Sequence, residues 1–282
     1  MKSARTVPVL MYHHVSPVEG SITTSPERFD EQLAALAGAG YTTLTAAQFA
    51  GFMQGQPVPE KSILITFDDG YLDNWIYADP ILKKYGMKAV LFLVTSWAHE
   101  GPCRPQMGAG TLPDMLSHRQ CMDLVAAGGN TDLMTARWSE VMAMDATGFE
   151  VHSHTHTHTR WDKRAESREI KSEQILSELE ISKKILEAKT GHREEHICWP
   201  QGFFDSDYVQ AARQAGYVYF YTTDQFGFNK PFGNPEHIYR IPISNRSGSW
   251  VVRRVNLSRN LLVGALFNKF KKWKRGFRKQ SD

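Results

Sequence analysis

The sequence predicts an α/β fold in which a parallel sheet or barrel is covered by helices. Short strands that are apolar on both faces alternate with helical segments, which is the pattern of parallel strands buried on both sides. The chain has 282 residues, of which 41% are hydrophobic and 22% charged, enough for one large domain with a full core. A disordered or fibrous protein is excluded by this composition.

The first half of the chain combines a strand–helix–strand unit with a βαβ unit. Ser25 is a candidate N-cap with Pro26 at the first helical position, and Gly40 is a stop signal. The next apolar run ends abruptly at Asp68 and is followed by a second helical segment. The predicted strands are 7–11, 41–44, 62–67 and 89–94, and the second predicted helix is 77–85.

The second half continues the alternation after an irregular stretch. Residues 99–147 are rich in Gly and Pro and predict an insertion over the core, with a helix at 135–144. A long amphipathic helix is predicted at 164–189, with Leu179 on its buried stripe and Glu178 towards solvent. The remaining predicted elements are a strand at 149–152, a strand at 197–200, a helix at 208–215 and a strand at 217–222.

Positive charge is concentrated at the C-terminus. Residues 253–282 carry ten Lys or Arg residues and one Asp, a net charge of +9 in a chain of net charge +3. We therefore divide the chain into a catalytic domain, 1–252, and a basic amphipathic segment, 253–282. Apolar and basic side chains alternate over 257–280, a pattern typical of helices on anionic membrane surfaces, although a solvated tail has the same composition. The rest of the chain is net acidic, which argues against nucleic acid as a partner.

Cysteine usage and the N-terminus bear on location. Three cysteines without paired close spacing favour a reducing compartment and disfavour a cysteine zinc module. The short apolar run before His13 is unlike a secretory signal. We expect a cytoplasmic protein, peripheral on the cytoplasmic face of the inner membrane.

Two polar clusters at predicted strand ends carry the chemistry. Asp68 and Asp69 follow an apolar strand and precede a glycine, which suits a turn but also places two carboxylates at the rim where α/β barrels form active sites. Residues 152–158 contain four histidines after another strand. A solvated loop needs no such density, whereas neutral imidazoles are common zinc ligands and two histidines four residues apart can reach one ion.

These elements resemble the signature motifs of the polysaccharide deacetylase family. The motifs are TFDDGY at 66–71 and SHTHTH at 153–158, with MYHHV at 11–15, WPQG at 199–202 and YRIPI at 239–243 in the expected order. The arrangement is most similar to the branch of biofilm poly-N-acetylglucosamine deacetylases. The resemblance implies a distorted, incomplete (β/α) barrel and metal-dependent hydrolysis of an N-acetyl group on a hexosamine.

The resemblance also assigns roles to particular residues. It implies that Asp69, His154 and His158 bind a divalent metal, and that Asp68 is the general base that deprotonates the attacking water. Zinc suits an Asp-His-His set best, while cobalt, nickel, manganese or iron can occupy such a site. His152 and His156 are then packing residues rather than ligands.

The chain departs from the general family pattern in two places. It lacks the arginine that most members have before the third motif, which is WPQG here, and it has no evident leucine-histidine motif near the C-terminus, which usually supplies the general acid. A backbone N–H at Gln201 can still stabilise the oxyanion, and similarity to the biofilm branch implies that His13 is the general acid, with His14 on the opposite face. Arg240 is predicted either to orient Asp68 in place of the family's missing arginine or to form a surface ion pair. Tyr71 and Trp199 are predicted either to stack on a sugar ring or to belong to the core.

The resulting functional hypothesis is an N-acetylhexosamine deacetylase. The basic C-terminal segment and the expected location suggest a lipid-linked lipopolysaccharide or capsule intermediate as substrate. Two alternatives remain at this point: hydrolysis of another C–N amide, such as a ureide or cyclic imide, and a catalytically silent glycan-binding module. The presence of all of Asp68, Asp69, His154 and His158 argues against the silent module.

Overall fold

Parallel strands form the centre of the molecule. The structure is a computed structural model that describes residues 2–278, with side chains described as far as residue 270. The main sheet has the order β10-β1-β5-β6-β7-β8-β9, with β4 paired to β5, and β2 pairs with β3. The strands are β1 (Val9–Tyr12), β2 (His14–Val15), β3 (Thr23–Thr24), β4 (Thr42–Thr43), β5 (Ser62–Asp69), β6 (Ala89–Leu93), β7 (Phe149–Ser153), β8 (His196–Cys198), β9 (Tyr219–Tyr221) and β10 (Arg240–Pro242).

The sheet curls into a nearly closed barrel with an unsealed seam between β9 and β10. An isolated parallel bridge joins Tyr221 to Ile238, just before β10, and the Ile238 N–H donates to the Phe220 carbonyl at 2.8 Å. The strand pairs of the main sheet are parallel, so their carboxyl ends meet at one rim. This confirms the predicted distorted, incomplete (β/α) barrel.

Helices surround the barrel. The first begins as predicted, because the Ser25 hydroxyl accepts a hydrogen bond from the Arg28 N–H at 3.3 Å. A π-helical turn at Asn74–Ala78 precedes α3. The α-helices are α1 (Pro26–Gly38), α2 (Ala46–Met53), α3 (Asp79–Lys84), α4 (His118–Ala126), α5 (Trp138–Asp145), α6 (Trp161–Arg164), α7 (Arg168–Thr190), α8 (Ser206–Gln214), α9 (Gly248–Arg259) and α10 (Leu261–Arg278).

The core has an interior and an outer layer. Along β5, Leu64 packs with the barrel interior around Phe92 and Tyr221, whereas Ile63 and Ile65 pack in the layer beneath the surrounding helices. Both faces of the strand are therefore buried, which explains its continuous apolar sequence.

Several predicted boundaries are wrong. The insertion at 99–147 is more regular than expected, since it contains α4 and α5, and the predicted helix at 135–144 begins three residues later. The long helix begins at Arg168, after the separate α6. Helix α9 runs through residue 252, and Val251 and Val255 on either side of it are both fully buried. Among the described helices, none is both long and apolar enough to cross a membrane.

Candidate metal and catalytic centre

Two buried carboxylates stand at the carboxyl end of β5. Asp68 and Asp69 are 3% and 5% exposed. Asp69 has φ of 75° and Gly70 has φ of 80°, a left-handed conformation that only glycine adopts without steric cost. A Cβ on Gly70 would lie 2.3 Å from Leu93 Cδ1, so the glycine is required for the chain to turn tightly here.

The histidine loop approaches the same rim from β7. Its backbone is held by the His154 N–H, which donates to the Leu93 carbonyl at 2.9 Å, and by the His158 N–H, which donates to the Thr155 hydroxyl at 3.1 Å. Thr155 and His158 have φ of 68° and 60°. Such positive φ values cost energy in non-glycine residues and cluster at functional sites.

Glu178 holds the loop from α7, contrary to the prediction that it faces solvent. It is 5% exposed and accepts hydrogen bonds from the N–H groups of His156 and Thr157 at 2.9 and 2.7 Å, and from the Thr157 hydroxyl at 2.5 Å. This role could not be predicted from the sequence, because a Glu among other charged residues on an amphipathic helix is typical of a solvated face.

Asp69, His154 and His158 form a donor set suited to a metal ion. Asp69 Oδ1 lies 3.2 Å from His154 Nε2 and 3.4 Å from His158 Nε2, and the three ligand atoms lie within 4.8 Å of one another. Ligand atoms bound tetrahedrally to one zinc ion at about 2.0–2.1 Å would stand about 3.4 Å apart. Burial lowers the pKa of His158 to about 4, which keeps its imidazole neutral as a ligand.

The partner of His154 fixes which nitrogen faces this set. His154 Nδ1 lies 2.8 Å from the Cys198 carbonyl oxygen; a carbonyl only accepts, so Nδ1 carries a proton and Nε2 is the nitrogen that faces Asp69. Asp68, His154 and Cys198 form a second group of potential ligands. However, Asp68 and Cys198 both contact Arg240, so the set containing Asp69 and His158 is the better metal site.

Arg240 is completely buried and all five of its N–H donors are used. The guanidinium donates to both Asp68 oxygens at 2.6 and 2.8 Å. The other three acceptors are the Thr222 carbonyl, the Thr66 hydroxyl and Cys198 Sγ. Burial alone would raise the pKa of Asp68, but the charge and hydrogen bonds of Arg240 outweigh it and lower the pKa below the ordinary value. Of the two predicted arrangements, the structure therefore has the contact with Asp68 and not the surface ion pair.

His13 and His14 point to different surroundings, as the strand alternation predicts. His13 is 21% exposed and its Nε2 lies 3.7 Å from Asp68 Oδ2. Burial lowers the pKa of His13. His14 is buried, lies 2.6 Å from Asp73 Oδ2 and stacks on Tyr71 with ring centroids 3.6 Å apart. Only His13 shares the cavity with Asp68.

Both predicted aromatic residues pack into the core around the site. Tyr71 and Trp199 are both 0% exposed, and of the two only Trp199 belongs to the lining of the catalytic cavity. Tyr71 packs against His14, and Trp199 packs against Phe204 with ring centroids 5.9 Å apart. Both are core residues behind the site.

A cavity of about 150 Å³ opens over the donor set. Gln201 lines it with φ of 55°, and its Oε1 accepts from Arg160 Nη1 at 3.1 Å; its oxyanion role stays a prediction. The insertion supplies His118 and Met122 to the same cavity, which the sequence did not indicate. The cavity is lined by His13, Ile22, Asp68, Asp69, His118, Met122, His154, His158, Trp199, Gln201, Gly202 and Thr223.

Comparison with known proteins identifies the family. A profile described as polysaccharide deacetylase matches residues 55–220, which include both carboxylates and the histidine loop. The chain belongs to the polysaccharide deacetylase family. His13 and Arg240 lie outside the matched residues, so their roles depend on the geometry above.

Relatives of this deacetylase-family chain include two named bacterial proteins. It is 29% identical over 219 residues to YxkH of Bacillus subtilis (strain 168), whose name places it in the same family; the match covers 77% of this chain and 64% of the relative. It is 25% identical over 234 residues to a Staphylococcus aureus poly-β-1,6-N-acetyl-D-glucosamine N-deacetylase, covering 82% and 71% of the two chains. The chain thus spans about two thirds of each relative's length.

Solved structures share the fold of this family member. The Streptococcus pyogenes deacetylase PplD, in complex with acetate, superposes with a TM-score of 0.70 at 21% identity, covering 90% of this chain and 99% of that one. IcaB from Ammonifex degensii gives a TM-score of 0.69 at 20% identity, covering 90% and 98%. These similarities support the barrel architecture described above.

Proposed function

We propose that this chain is a metal-dependent hydrolase that removes the N-acetyl group from an N-acetylhexosamine within a saccharide. The observation that carries the proposal is the donor set of Asp69, His154 and His158 beside a second carboxylate, Asp68, that is held by Arg240. Three protein ligands leave positions open for chemistry, as catalytic metal sites require. The name of the Staphylococcus aureus relative favours N-acetylglucosamine as the sugar.

The protein residues around the donor set suit amide hydrolysis. A divalent ion bound there, zinc by preference with cobalt, nickel, manganese or iron as alternatives, would supply the Lewis acid that polarises the acetamide carbonyl and acidifies water. Asp68 accepts the proton of the attacking water, since Arg240 keeps it ionised and fixes the plane of its carboxylate. The Gln201 N–H donates to the developing oxyanion. His13 donates a proton to the departing nitrogen.

Acetate release tests this function. Purified protein is assayed on β-1,6-linked N-acetylglucosamine oligomers for acetate and free amine in equal amounts. We expect Asp68→Asn to retain metal and lose about 10²- to 10⁴-fold in rate, the usual contribution of a general base. His156→Gln is the matched control, because His156 Nδ1 contacts Thr95 Oγ1 at 2.9 Å instead of the donor set.

The outcomes separate the alternatives. Hydrolysis of hydantoin without acetate release from any N-acetylated sugar would favour a ureide or cyclic imide hydrolase. Saccharide binding with neither reaction would favour the silent glycan-binding module. Apo protein after Asp68→Asn would show that Asp68 and Asp69 have exchanged roles.

We propose further that α10 lies on an anionic membrane and brings the site to a lipid-linked saccharide on the cytoplasmic face. Leu262 and Leu266 are 81% and 71% exposed, and Phe270 is 50% exposed, beside a segment of strong positive charge. Exposed apolar side chains next to basic ones suit the interface of anionic lipids. The side chains of 271–278 and the predicted anchor residues 279–280 lie outside the described part of the chain.

Liposome sedimentation tests this placement. Vesicles containing phosphatidylglycerol should sediment the full chain at low salt, and vesicles of phosphatidylcholine alone should sediment much less. Leu262→Gln with Leu266→Gln should weaken vesicle binding at least tenfold, because the loss of only one inserted methylene from each leucine, at about 0.8 kcal/mol each, already amounts to about 1.6 kcal/mol. Leu133→Gln, which removes a leucine that is 56% exposed elsewhere, should have no effect. Equal sedimentation by all variants would contradict the membrane proposal.

A further inference from the structure

A second, larger cavity adjoins the catalytic one. It has a volume of about 690 Å³ and lies between the barrel rim, at Met11 and Pro242, and helices α9 and α10. His13 and Ile22 line both cavities, so the two meet at the proposed general acid. None of the described residues that line the larger cavity is Asp or Glu, whereas three are arginines: Arg246, Arg253 and Arg254.

Arg254 carries a buried charge that no anion neutralises in the described structure. It is 8% exposed. Its Nη1 donates to the Ser258 hydroxyl at 2.6 Å, its guanidinium stands 5.1 Å from the Phe267 ring centroid, and its Nη2 is buried without a hydrogen-bond partner. Burial lowers the pKa of Arg254, but a guanidinium stays charged at any working pH. A hydroxyl and an aromatic ring offset only a small part of the free-energy cost of burying this charge.

The contrast with Arg240 shows what is missing. Arg240 is also buried, yet both of its terminal nitrogens donate to the Asp68 carboxylate. Arg254 has the same chemistry without the anion, and it lines an open cavity. A buried guanidinium with a free terminal nitrogen, flanked by Arg246 and Arg253, provides the planar donor pattern that binds phosphate.

We propose that Arg254, together with Arg246 and Arg253, binds a phosphate group attached to the N-acetylhexosamine, so that the sugar enters the catalytic cavity past His13. The inference rests on the proposed deacetylation and names its substrate class: a glycosyl phosphate or diphosphate. The lining also includes the apolar side chains of Trp250, Leu257 and Phe267, together with polar side chains such as those of Gln225 and Ser244. The same phosphate recognition would serve a soluble sugar phosphate or a lipid-linked one.

Kinetics on matched substrates test the proposal. The metal-loaded full chain is assayed on N-acetylglucosamine 1-phosphate, on a short-chain polyprenyl diphosphate N-acetylglucosamine, and on neutral methyl N-acetylglucosaminide. Loss of a charge-assisted contact predicts that Arg254→Gln lowers kcat/KM about 10- to 100-fold on the phosphorylated substrates and less than about twofold on the neutral one. A wild-type kcat/KM that is higher on the polyprenyl substrate than on the sugar phosphate identifies the lipid-linked source, and one that is no higher identifies the soluble source.

Controls separate binding from folding and from the catalytic proposal. Arg259→Gln makes the same change on α9 but removes a contact to the Glu60 carbonyl outside the cavity, and should leave the substrate preference unchanged. Arg253→Gln changes an exposed residue and serves as the test variant if Arg254→Gln fails to fold. It should also lower kcat/KM on the phosphorylated substrates relative to kcat/KM on the neutral one. Calorimetric titration with glucose 1-phosphate, which has no acetyl group, should show weaker binding to Arg254→Gln and to Arg253→Gln than to wild type.

Two results would overturn the inference. Equal loss on neutral and phosphorylated substrates would make Arg254 a structural residue, and unchanged binding of glucose 1-phosphate by the cavity variants would remove the phosphate site. If wild-type protein releases acetate from no substrate yet binds glucose 1-phosphate through Arg254, the proposed function fails while the anion site stands.

Discussion

Replacing Arg240 by Met should destabilise the protein through the charge that it leaves behind. Arg240 is 0% exposed and Asp68 is 3% exposed. The guanidinium neutralises the Asp68 carboxylate directly, through two hydrogen bonds of 2.6 and 2.8 Å. Methionine fills a similar volume and offers no donor. The Thr222 carbonyl and Cys198 Sγ lose donors as well.

The magnitude follows from the cost of an unpaired buried ion. Removing one partner of a buried ion pair costs about 3–5 kcal/mol. For a chain of 282 residues, an unfolding entropy of about 2.1 cal/mol/K per residue converts this to a fall in Tm of about 5–8 °C. Arg240→Lys should lose less, because it keeps the positive charge but cannot donate to both carboxylate oxygens at once.

A double-mutant cycle provides the assay. Urea unfolding is measured for wild type, Arg240→Met, Asp68→Asn and the double variant at one fixed metal concentration. We expect the double variant to recover about 1–3 kcal/mol relative to Arg240→Met, since the neutral amide no longer buries an unpaired charge. A double variant no more stable than Arg240→Met would show that the unpaired Asp68 charge is not the source of the lost stability.

Three further changes test other parts of the site and the fold. His13→Ala should lose about 10²- to 10⁴-fold on an acetamide but little on p-nitrophenyl acetate, whose leaving group needs no proton, whereas Asp68→Asn should lose both rates. Glu178→Ala should cost about 1–3 kcal/mol in urea unfolding, because the N–H groups of His156 and Thr157 would lose the carboxylate oxygen that accepts from both; exposed Glu180→Ala is the control. Hydrogen bonds from Arg168 and Lys171 lower the pKa of Asp207 from 3.8 to about 2. These hydrogen bonds therefore stabilise the folded state fully above pH 3.8, and the stabilisation is lost as the pH falls towards 2. Asp207→Asn should therefore flatten the pH dependence of Tm over that interval.

The sequence was most informative where a function depends on local chain geometry. Asp68 and Asp69 end one strand and His154 follows another, and parallel strands bring such ends to one rim. The periodicity of two also separates His13 from His14, because neighbouring residues in an extended segment face opposite ways.

Side-chain contacts between separate elements of the fold could not be predicted from sequence patterns. Glu178 reaches the histidine loop from a helix 21–22 residues away in sequence, and His118 reaches the cavity from the insertion. Tyr71 and Trp199 were open to two interpretations because an aromatic residue at a strand end can fill the core or face a ligand. Only the packing of neighbouring elements decides between these, and here it buries both rings.

Metal titration with an acetate readout tests directly whether deacetylation depends on a metal held by Asp69, His154 and His158. Chelator-treated protein is titrated with zinc while acetate release from an N-acetylglucosamine oligomer is followed. We expect a rate that rises to saturation at about one ion per chain in wild type and in His156→Gln, and neither tight metal binding nor activity in His158→Gln. Full activity of the chelated protein, or unchanged zinc stoichiometry and rate in His158→Gln, would contradict this expectation.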